Sequence, residues 1–220
     1  MSSFIYPIYK PAGDNAVLVI LGDEIDLQIN RRVHALDKLF TRECFDGFVE
    51  TVPTYTSLLI YYDPLLVDFS QALSEIQNRV SKLQKVDEQP SRLVEIPTQY
   101  GGDYGPDLEF VASHNHLSTD EVIRIHTSRD YPIYMMGFTP GFPYLGGMDD
   151  RIATPRLQSP RTLVKAGSVG IAGSQTGIYS IDSPGGWQLI GWTAVKLFDP
   201  ASEQPIFLSP GDVVRFIRIE

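Results

Sequence analysis

Two stretches rich in glycine, proline and aromatic residues constrain this 220-residue chain more than any other feature. They are Gly137–Gly147, GFTPGFPYLGG, and Ala166–Tyr179, AGSVGIAGSQTGIY. Glycine and proline at this density fix unusual backbone angles and allow backbone or ligand to approach closely, while the interleaved apolar residues supply core. A linker would be polar, and a purely structural sheet would not need so many special backbone positions. The two stretches therefore predict a β-barrel that carries a binding site.

Composition and charge limit the function classes. The longest apolar runs, Ala16–Leu21 and Ser57–Tyr62, are too short to span a bilayer, and the N-terminus lacks the basic-then-apolar pattern of a signal peptide. We therefore expect a cytoplasmic protein with no membrane contact. The net charge of −9 argues against nucleic-acid partners, because its field would repel them. An anionic small substrate stays open if basic residues cluster locally.

The distribution of glycine and proline predicts two domains. Of the 18 glycines 15 lie after residue 89, and so do 12 of the 16 prolines. The change falls near Lys85–Pro90, so we place the boundary there, with domains at residues 1–90 and 91–220.

The first domain alternates strand and helix patterns. A buried strand at Ala16–Leu21 is followed by Asp23, a candidate helix cap. Two apolar stripes at helical spacing consist of Ile29, Val33, Leu36 and Phe40, then Phe69, Leu73, Ile76, Val80 and Leu83. The β-rich runs Phe48–Val52 and Thr56–Tyr62 lie between them, and Arg92–Ile96 follows. The order β-α-β-β-α-β is typical of a ferredoxin-like α/β domain, unless the last strand begins the second domain.

The second domain predicts one short helix and many short strands. Ser118 and Glu121 form the sequence of a capping box for a helix at Asp120–Thr127. The β-rich pieces are Tyr131–Met136, Leu163–Ala166, Ser168–Ala172, Ile178–Ile181, Trp187–Trp192, Val195–Phe198 and Asp212–Ile219. Short, regularly spaced strands with Gly/Pro turns predict a closed or nearly closed barrel, and hence an α+β fold overall.

Several polar patterns are candidates for chemistry. The run Gly167–Gly177 suits either a phosphate cradle or tight β-turns, but it lacks the Gly-Lys-Ser/Thr ending of a P-loop. The pairs His114/His116 and Asp149/Asp150 have too few partners for a convincing metal site, so we expect none.

Basic and neutral polar residues accompany the glycine-rich strands. Arg151, Arg156, Arg161 and Lys165 form a basic interval, which either stabilises a carboxylate or phosphoryl group or is ordinary surface. Strand alternation places Gln175 and Tyr179 on one face. His126 ends a short helix, where it is either an acid/base or a favourable helix-terminal charge.

Taken together, these motifs resemble those of the B-subunit family of bacterial ATP-dependent 5-oxoprolinase (PxpB or KipI, formerly called allophanate hydrolase subunit 1). The resemblance covers nearly the whole chain and rests on Gly137–Gly147, Pro155-Arg156, Pro160-Arg161, Ala166–Tyr179 and Ser183–Gly191. It implies an N-terminal α/β domain followed by a cyclophilin-like β-barrel. Lys165, Ser180, Trp192 and Ala194 depart from the pattern expected for the family.

The resemblance also implies an activity and partners. A hydrolase complex that includes the family's C and A subunits would convert 5-oxo-L-proline to L-glutamate, with ATP and Mg²⁺ bound in this nucleotide-binding hetero-oligomer. The B–C pair would phosphorylate the lactam oxygen before the A subunit hydrolyses the ring.

We assign roles on that basis. Arg156 and Arg161 are expected to bind the substrate carboxylate or phosphate, and Gln175 and Tyr179 the lactam amide. His126 is the expected acid/base or orienting group. Phe138, Phe142 and Tyr144 form the apolar wall, and Gly173 is the glycine expected to contact substrate.

Two other classes of function stay open. Family members called KipI inhibit a sensor histidine kinase, which would use a barrel surface rather than a catalytic cleft. Related domains also occur in urea-degrading systems, which favours a urea- or allophanate-related amidase accessory subunit.

Overall fold

The chain divides into two units, Met1–Pro90 and Ser91–Glu220, each with its own apolar core. A computed structural model describes residues 6–82 and 92–220. The predicted boundary stretch Lys85–Pro90, and Leu83 of the second apolar stripe, lie outside the described residues.

The first unit is a four-stranded antiparallel sheet with two helices. Its elements are β1 Ile8–Pro11, β2 Ala16–Ile20, α1 Leu27–Arg42, β3 Phe48–Pro53, β4 Ser57–Tyr62 and α2 Phe69–Ser81. The strand order across the sheet is β1-β2-β4-β3. Both predicted helices therefore form, and their apolar stripes reach the core: Val33, Leu36 and Phe40 of α1 are buried, and so are Ile76 and Val80 of α2.

Helix α1 begins later than predicted. Asp26, not Asp23, is its N-cap, because the Asp26 carboxylate accepts hydrogen bonds from the backbone N–H groups of Gln28 and Ile29. A side-chain oxygen at that position satisfies N–H groups that have no partner within the helix.

The sheet of the first unit keeps the central order of a ferredoxin-like domain but fills one edge differently. Strands β2 and β3, which α1 connects, are separated in the sheet by β4, as in a split β-α-β unit. The edge beside β2 is taken by β1, which the sequence patterns did not predict, in the register Ile8↔Ile20 to Pro11↔Val17. The strand predicted at Arg92–Ile96 instead belongs to the second unit, which is the alternative left open above.

The second unit is a closed seven-stranded barrel with short flanking elements. These are β5 Leu93–Tyr100, α3 Leu108–His114, α4 Thr119–Thr127, β6 Asp130–Met136, β7 Pro143–Leu145, β8 Arg161–Val164, β9 Ser168–Ala172, β10 Gln175–Ile178, β11 Ser183–Gly185, β12 Gln188–Trp192 and β13 Val213–Arg218. The barrel order is β10-β7-β6-β13-β5-β12-β9, and β8 with β11 forms a separate ribbon. The predicted α+β fold with a C-terminal barrel is confirmed.

Several predictions for this unit are wrong in detail. The strand expected at Ile178–Ile181 is instead the end of β10, which stops at Ile178. Helix α3 was not predicted, although Val111 and Ala112 pack in the barrel core. Val195–Phe198 is not a strand and contributes only an isolated bridge from Phe198 to Ile206. Within residues 6–82 and 92–220, no helix has both the length and the apolar character needed to cross a bilayer.

Strand alternation gives the barrel two apolar faces near the glycine-rich stretches. Val169, Ile171 and Ile178 point into the main core. Ala172 and Tyr179 alternate with these residues along the chain and point to the opposite face. They belong to a second cluster with Phe142, Val164, Trp187 and Leu189. The glycine-rich strands therefore separate the barrel core from an outer aromatic layer.

Candidate functional site

A cleft of about 310 Å³ opens on this outer layer. Its aromatic walls are Phe138, Phe142, Tyr144, Tyr179 and Trp187, and its remaining lining residues are Arg156, Leu157, Pro160, Pro184, Gly185 and Gly186. Its volume and mainly apolar lining with few polar groups are typical of a small-molecule site.

Glycine on the strands below the cleft lets the aromatic rings lie close to the sheet. A β-carbon at Gly177 would lie 3.0 Å from Cζ3 of Trp187 and 3.1 Å from Cζ of Phe142. A β-carbon at Gly170 would lie 3.1 Å from Cβ of Trp187. The glycines at these outward positions therefore have a packing reason, beyond making turns.

The aromatic walls support one another through edge-to-face contacts. Phe142 is central and buried, with its ring centroid 5.5 Å from Trp187, 5.5 Å from Tyr179 and 5.1 Å from Tyr144. Such pairs stabilise beyond the area that they bury. The walls of the cleft are thus held in place by their own ring contacts.

Phe138 stands at the mouth of the cleft in a strained backbone conformation. Its φ is +67°, its side chain is 62% exposed, and the N–H of Thr139 donates to the carbonyl of Gly137 across it at 2.8 Å. The loop is anchored by Ser180, whose hydroxyl donates to the Pro140 carbonyl at 2.6 Å. A positive φ at a bulky residue costs about 1–3 kcal/mol and is concentrated at functional sites.

Arg156 is the charged residue of the cleft. Its Cζ lies 5.9 Å from the centroid of the Trp187 ring, and no carboxylate in the described part of the chain pairs with it. Two hydrogen bonds hold its loop: Leu157 N–H to Gly186 O at 2.7 Å, and Gln188 Nε2 to Pro155 O at 2.9 Å. An uncompensated guanidinium beside an aromatic wall suits a small ligand that carries a carboxylate.

Arg161, by contrast, is already paired. Its Nη2 donates to both carboxylate oxygens of Asp107, at 2.7 and 2.9 Å, and its Nη1 donates to the Trp187 carbonyl at 3.3 Å. It does not line the cleft. In this structure the Arg161 side chain is held by Asp107 behind the cleft wall, and direct binding of a ligand by Arg161 stays a prediction.

His126 lies inside the barrel rather than at its surface. Its side chain is fully buried, and its ring packs 4.4 Å from Phe216. Nδ1 lies 2.8 Å from the Tyr100 hydroxyl and Nε2 2.9 Å from Oγ1 of Thr176. Because burial lowers the pKa of His126 to about 3, the ring is neutral and has no access to a ligand. Of the two roles predicted for His126, acid/base or orienting group, its burial and these contacts favour the orienting one.

The hydrogen-bond network assigns the tautomer of His126. Thr176 Oγ1 donates to the Gly170 carbonyl at 3.0 Å, so it must accept from Nε2–H of His126, and Nδ1 must accept from Tyr100. The chain of hydrogen bonds ends on a carbonyl of β9, the strand under the cleft.

Gln175 and Gly173 lie at the β9–β10 hairpin turn and do not line the cleft. Gly173 exchanges two backbone hydrogen bonds with Thr154, at 2.8 and 3.1 Å. Since Thr154 immediately precedes Pro155-Arg156, Gly173 anchors the loop that carries Arg156.

Two of the four metal candidates, Asp149 and His114, make contacts within the fold. Asp149 binds the guanidinium groups of Arg129 and Arg151, each at 2.8 Å, and these charges hold the pKa of its carboxyl well below its usual range. His114 ends α3 and stacks on Phe110. Among residues 6–82 and 92–220, no group of three or more His, Cys, Asp or Glu could hold a metal ion.

Comparison with known proteins assigns the family. The model of the carboxyltransferase domain, subdomain C and D, matches residues 7–208. The chain is 48% identical over 217 residues to the 5-oxoprolinase B subunit of Bacillus subtilis, covering 94% of this chain and 90% of that protein. It is 41% identical to the 5-oxoprolinase B subunit of Escherichia coli O157:H7, covering 93% of each.

The chain belongs to the 5-oxoprolinase B-subunit family. The same unit also occurs inside longer chains. The urea amidolyase of Lachancea kluyveri is 30% identical over 96% of this chain, which spans only 13% of that enzyme. The solved structure of TTHA0988 superposes with a TM-score of 0.84 at 38% identity, over 93% of this chain and 40% of that one.

Three of the positions that depart from the family pattern have local partners. Ser180 anchors the Phe138 loop, Lys165 pairs with Asp182 at 3.4 Å, and Trp192 donates from Nε1 to the Ala166 carbonyl at 2.8 Å. Nothing in the structure explains Ala194.

The sequence analysis did not assign Trp187 or Asp107 to the site, nor the lining residues Leu157, Pro160, Pro184, Gly185 and Gly186. Trp187 lies within the family motif Ser183–Gly191, directly after two glycines, which was an available signal of a ring packed on a backbone. Asp107 gave no signal, because its partner Arg161 is distant in sequence and the two meet only in the fold.

Proposed function

We propose that this chain is a subunit of an ATP-dependent 5-oxoprolinase that converts 5-oxo-L-proline to L-glutamate, and that the aromatic cleft binds the lactam. One observation carries the proposal: an aromatic cleft with a single uncompensated guanidinium, in a chain 48% identical to a protein named as the B subunit of 5-oxoprolinase. We place this complex in the cytoplasm, where ATP is available.

The ligand and the cleft have matching chemistry. 5-Oxoproline is a small flat ring with one carboxylate. The ring would pack against the walls that Phe142 and Trp187 form, and Arg156 would bind the carboxylate by charge-assisted hydrogen bonds. Tyr179, which lines the cleft, would donate its hydroxyl proton to the lactam amide as a neutral group, because burial raises its pKa.

A lactam is a stable amide, so ring opening needs activation. In the proposed sequence, the γ-phosphoryl group of ATP passes to the lactam oxygen and ADP leaves. Water then attacks the activated carbon and the ring C–N bond breaks, which gives the acyl phosphate of glutamate. A second water hydrolyses this acyl phosphate, so that phosphate leaves and glutamate remains. This chain holds and orients the lactam, which lowers the entropic part of the barrier to phosphoryl transfer.

Among the described residues there is neither a phosphate loop nor an all-protein cage for Mg²⁺. They include no cluster of three or more potential ligands for a cation, and the glycine-rich run Gly167–Gly177 forms strands and a hairpin turn rather than a phosphate loop before a helix. We therefore propose that the C subunit supplies the nucleotide ligands and the A subunit the hydrolytic step.

The test is ADP release with and without 5-oxoproline, measured for this chain alone, with the C subunit, and with the C and A subunits together. We expect 5-oxoproline-dependent turnover only in the mixtures that contain the C subunit, and glutamate only when the A subunit is also present. Turnover that is equal with and without 5-oxoproline in the full mixture would refute the proposal.

A urea-related function is the second candidate, because the urea amidolyase of Lachancea kluyveri is 30% identical over nearly the whole chain. Urea has no carboxylate and would leave Arg156 without an anion. Replacing 5-oxoproline by urea in the same assay separates the two: turnover with urea alone would favour this candidate.

A further inference from the structure

The pair formed by Asp107 and Arg161 lies directly behind one wall of the cleft. Arg161 is at the start of β8, paired across the ribbon with Gly185 of β11, and Gly185 lines the cleft. A β-carbon at Gly185 would lie 2.2 Å from the Tyr179 hydroxyl, so that hydroxyl rests against the backbone next to Arg161. The Arg161 charge is therefore close enough to act on a ligand in the cleft.

The groups that influence the pKa of Tyr179 also indicate that the Arg161 charge acts in the cleft. Burial raises the pKa of Tyr179, while a hydrogen bond to the Trp187 backbone and the positive charges of Arg156 and Arg161 act against that rise. Two guanidinium groups thus contribute to the field at the cleft wall, although only Arg156 lines it.

Asp107 compensates one of these two charges. Its carboxylate accepts both hydrogen bonds from Arg161 Nη2, and its Oδ2 also accepts from the Leu189 N–H at 2.6 Å. Its own N–H donates to the Leu189 carbonyl at 2.9 Å. The Asp107 side chain is mostly buried and is held by several hydrogen bonds. It therefore neutralises the Arg161 charge from a fixed position, unlike the partner in a mobile surface ion pair.

We propose that Asp107 is a specificity-determining residue, which neutralises Arg161 so that the cleft presents one net positive charge and selects ligands with one carboxylate over ligands with two. This inference rests on the proposed function, since the lactam substrate carries one carboxylate and its ring-opened product carries two. Without Asp107 the charge of Arg161 behind the wall would be uncompensated, and it would attract the second carboxylate of the product class through the wall.

The test compares two ligands that differ by one carboxylate. Cyclopentanecarboxylate and cyclopentane-1,3-dicarboxylate are used as inhibitors of 5-oxoproline-dependent ADP release in the reconstituted complex. The same ligands are titrated into the full chain alone, with the indole N–H signal of Trp187 followed by NMR. The measured quantity is the ratio of the two dissociation or inhibition constants.

Variants that shift the ratio in opposite directions distinguish an effect of charge from a loss of structural support. We expect Asp107→Asn to shift the ratio toward the dicarboxylate by roughly 3- to 10-fold. Arg161→Gln should shift it toward the monocarboxylate, and the double variant Asp107→Asn/Arg161→Gln should return it to within about twofold of wild type. Asp130→Asn, which breaks the bidentate pair with Arg215 away from the cleft, is the matched control and should leave the ratio unchanged.

The inference would be overturned if Asp107→Asn and Arg161→Gln each weakened the binding of both ligands by the same factor. That result is expected if the ion pair only supports the cleft wall. Absence of binding of either ligand to wild type would also overturn it. If wild type shows no 5-oxoproline-dependent turnover but the NMR ratio shifts as expected, the proposed function fails and the inference stands. If turnover is present and the ratio is constant, only the inference fails.

Discussion

The guanidinium of Arg156 lies over the indole ring of Trp187, with Cζ 5.9 Å from the ring centroid. The two residues are held together by hydrogen bonds between their flanking residues. The Leu157 N–H donates to Gly186 O, and the Gln188 side chain donates to Pro155 O. The cation and the apolar wall therefore form one unit. A ligand that packs on the wall meets the positive charge at its edge.

Arg156→Ala is expected to lower kcat/KM for 5-oxoproline-dependent ADP release by roughly 10- to 100-fold, because a hydrogen bond to a charged group contributes about 1.5–3 kcal/mol. Arg156→Lys should recover part of the loss, since an ammonium keeps the charge but not the planar stacking. Lys165→Ala is the control from the same basic interval, because Lys165 is exposed and pairs with Asp182. Equal activity of Arg156→Ala and Lys165→Ala would contradict the assignment.

The positive φ of Phe138 predicts an unusual order of stability. At an ordinary φ, glycine is about 0.5–1 kcal/mol less stable than alanine, whereas at φ +67° a β-carbon is strained. Phe138→Gly should therefore be at least as stable as Phe138→Ala in urea unfolding, while both lose turnover because the exposed ring is gone. If Phe138→Ala is the more stable of the two, the backbone is not held in this conformation.

Much of this fold could be predicted from periodicity. The stripe of Val33, Leu36 and Phe40 placed α1, and the glycine-rich strands placed the barrel wall, because burial on one face imposes a regular pattern. Strand β1 escaped detection because Ile8–Pro11 is short and lies at a sheet edge, where register and not pattern decides pairing.

The site was predictable only in part. Phe138, Phe142, Tyr144, Arg156 and Tyr179 line one cleft, and all five were named from the sequence. His126 and Arg161 were also named, but they do not line the cleft: the type of a residue shows its possible chemistry, whereas burial and ion pairing decide whether that chemistry is available. Neither property can be read from a sequence when the partners are far apart along the chain.

Gly177→Ala tests the floor of the cleft. The added β-carbon would lie 3.0 Å from Trp187 Cζ3 and 3.1 Å from Phe142 Cζ, so both walls must shift. We expect the free energy of unfolding to fall by about 1–3 kcal/mol and turnover to fall with it. Gly186→Ala is a matched control in the same cleft, because its β-carbon would make only an ordinary contact, 3.5 Å from Pro160 Cγ. Similar effects from the two variants would show that the floor is not closely packed.

The buried His126 predicts a pH dependence of stability. Its pKa falls from 6.5 in the unfolded chain to about 3 in the folded one, so the unfolded state binds the extra proton between these values. Stability should accordingly decrease as pH falls below about 6.5, by about 1.4 kcal/mol per pH unit. Between pH 7.5 and pH 5.0 this amounts to a loss of about 2 kcal/mol.

His126→Gln removes the titrating group and keeps hydrogen-bonding capacity, so it should be less stable at pH 7.5 but lack this slope. Urea unfolding followed by tryptophan fluorescence reports on residues 91–220, because both tryptophans, Trp187 and Trp192, lie there. Carboxylates contribute little in this range, since their stabilisation is lost mainly below pH 5. An equal slope in wild type and His126→Gln would mean that His126 is not held neutral in the fold, and the internal orienting role would have to be abandoned.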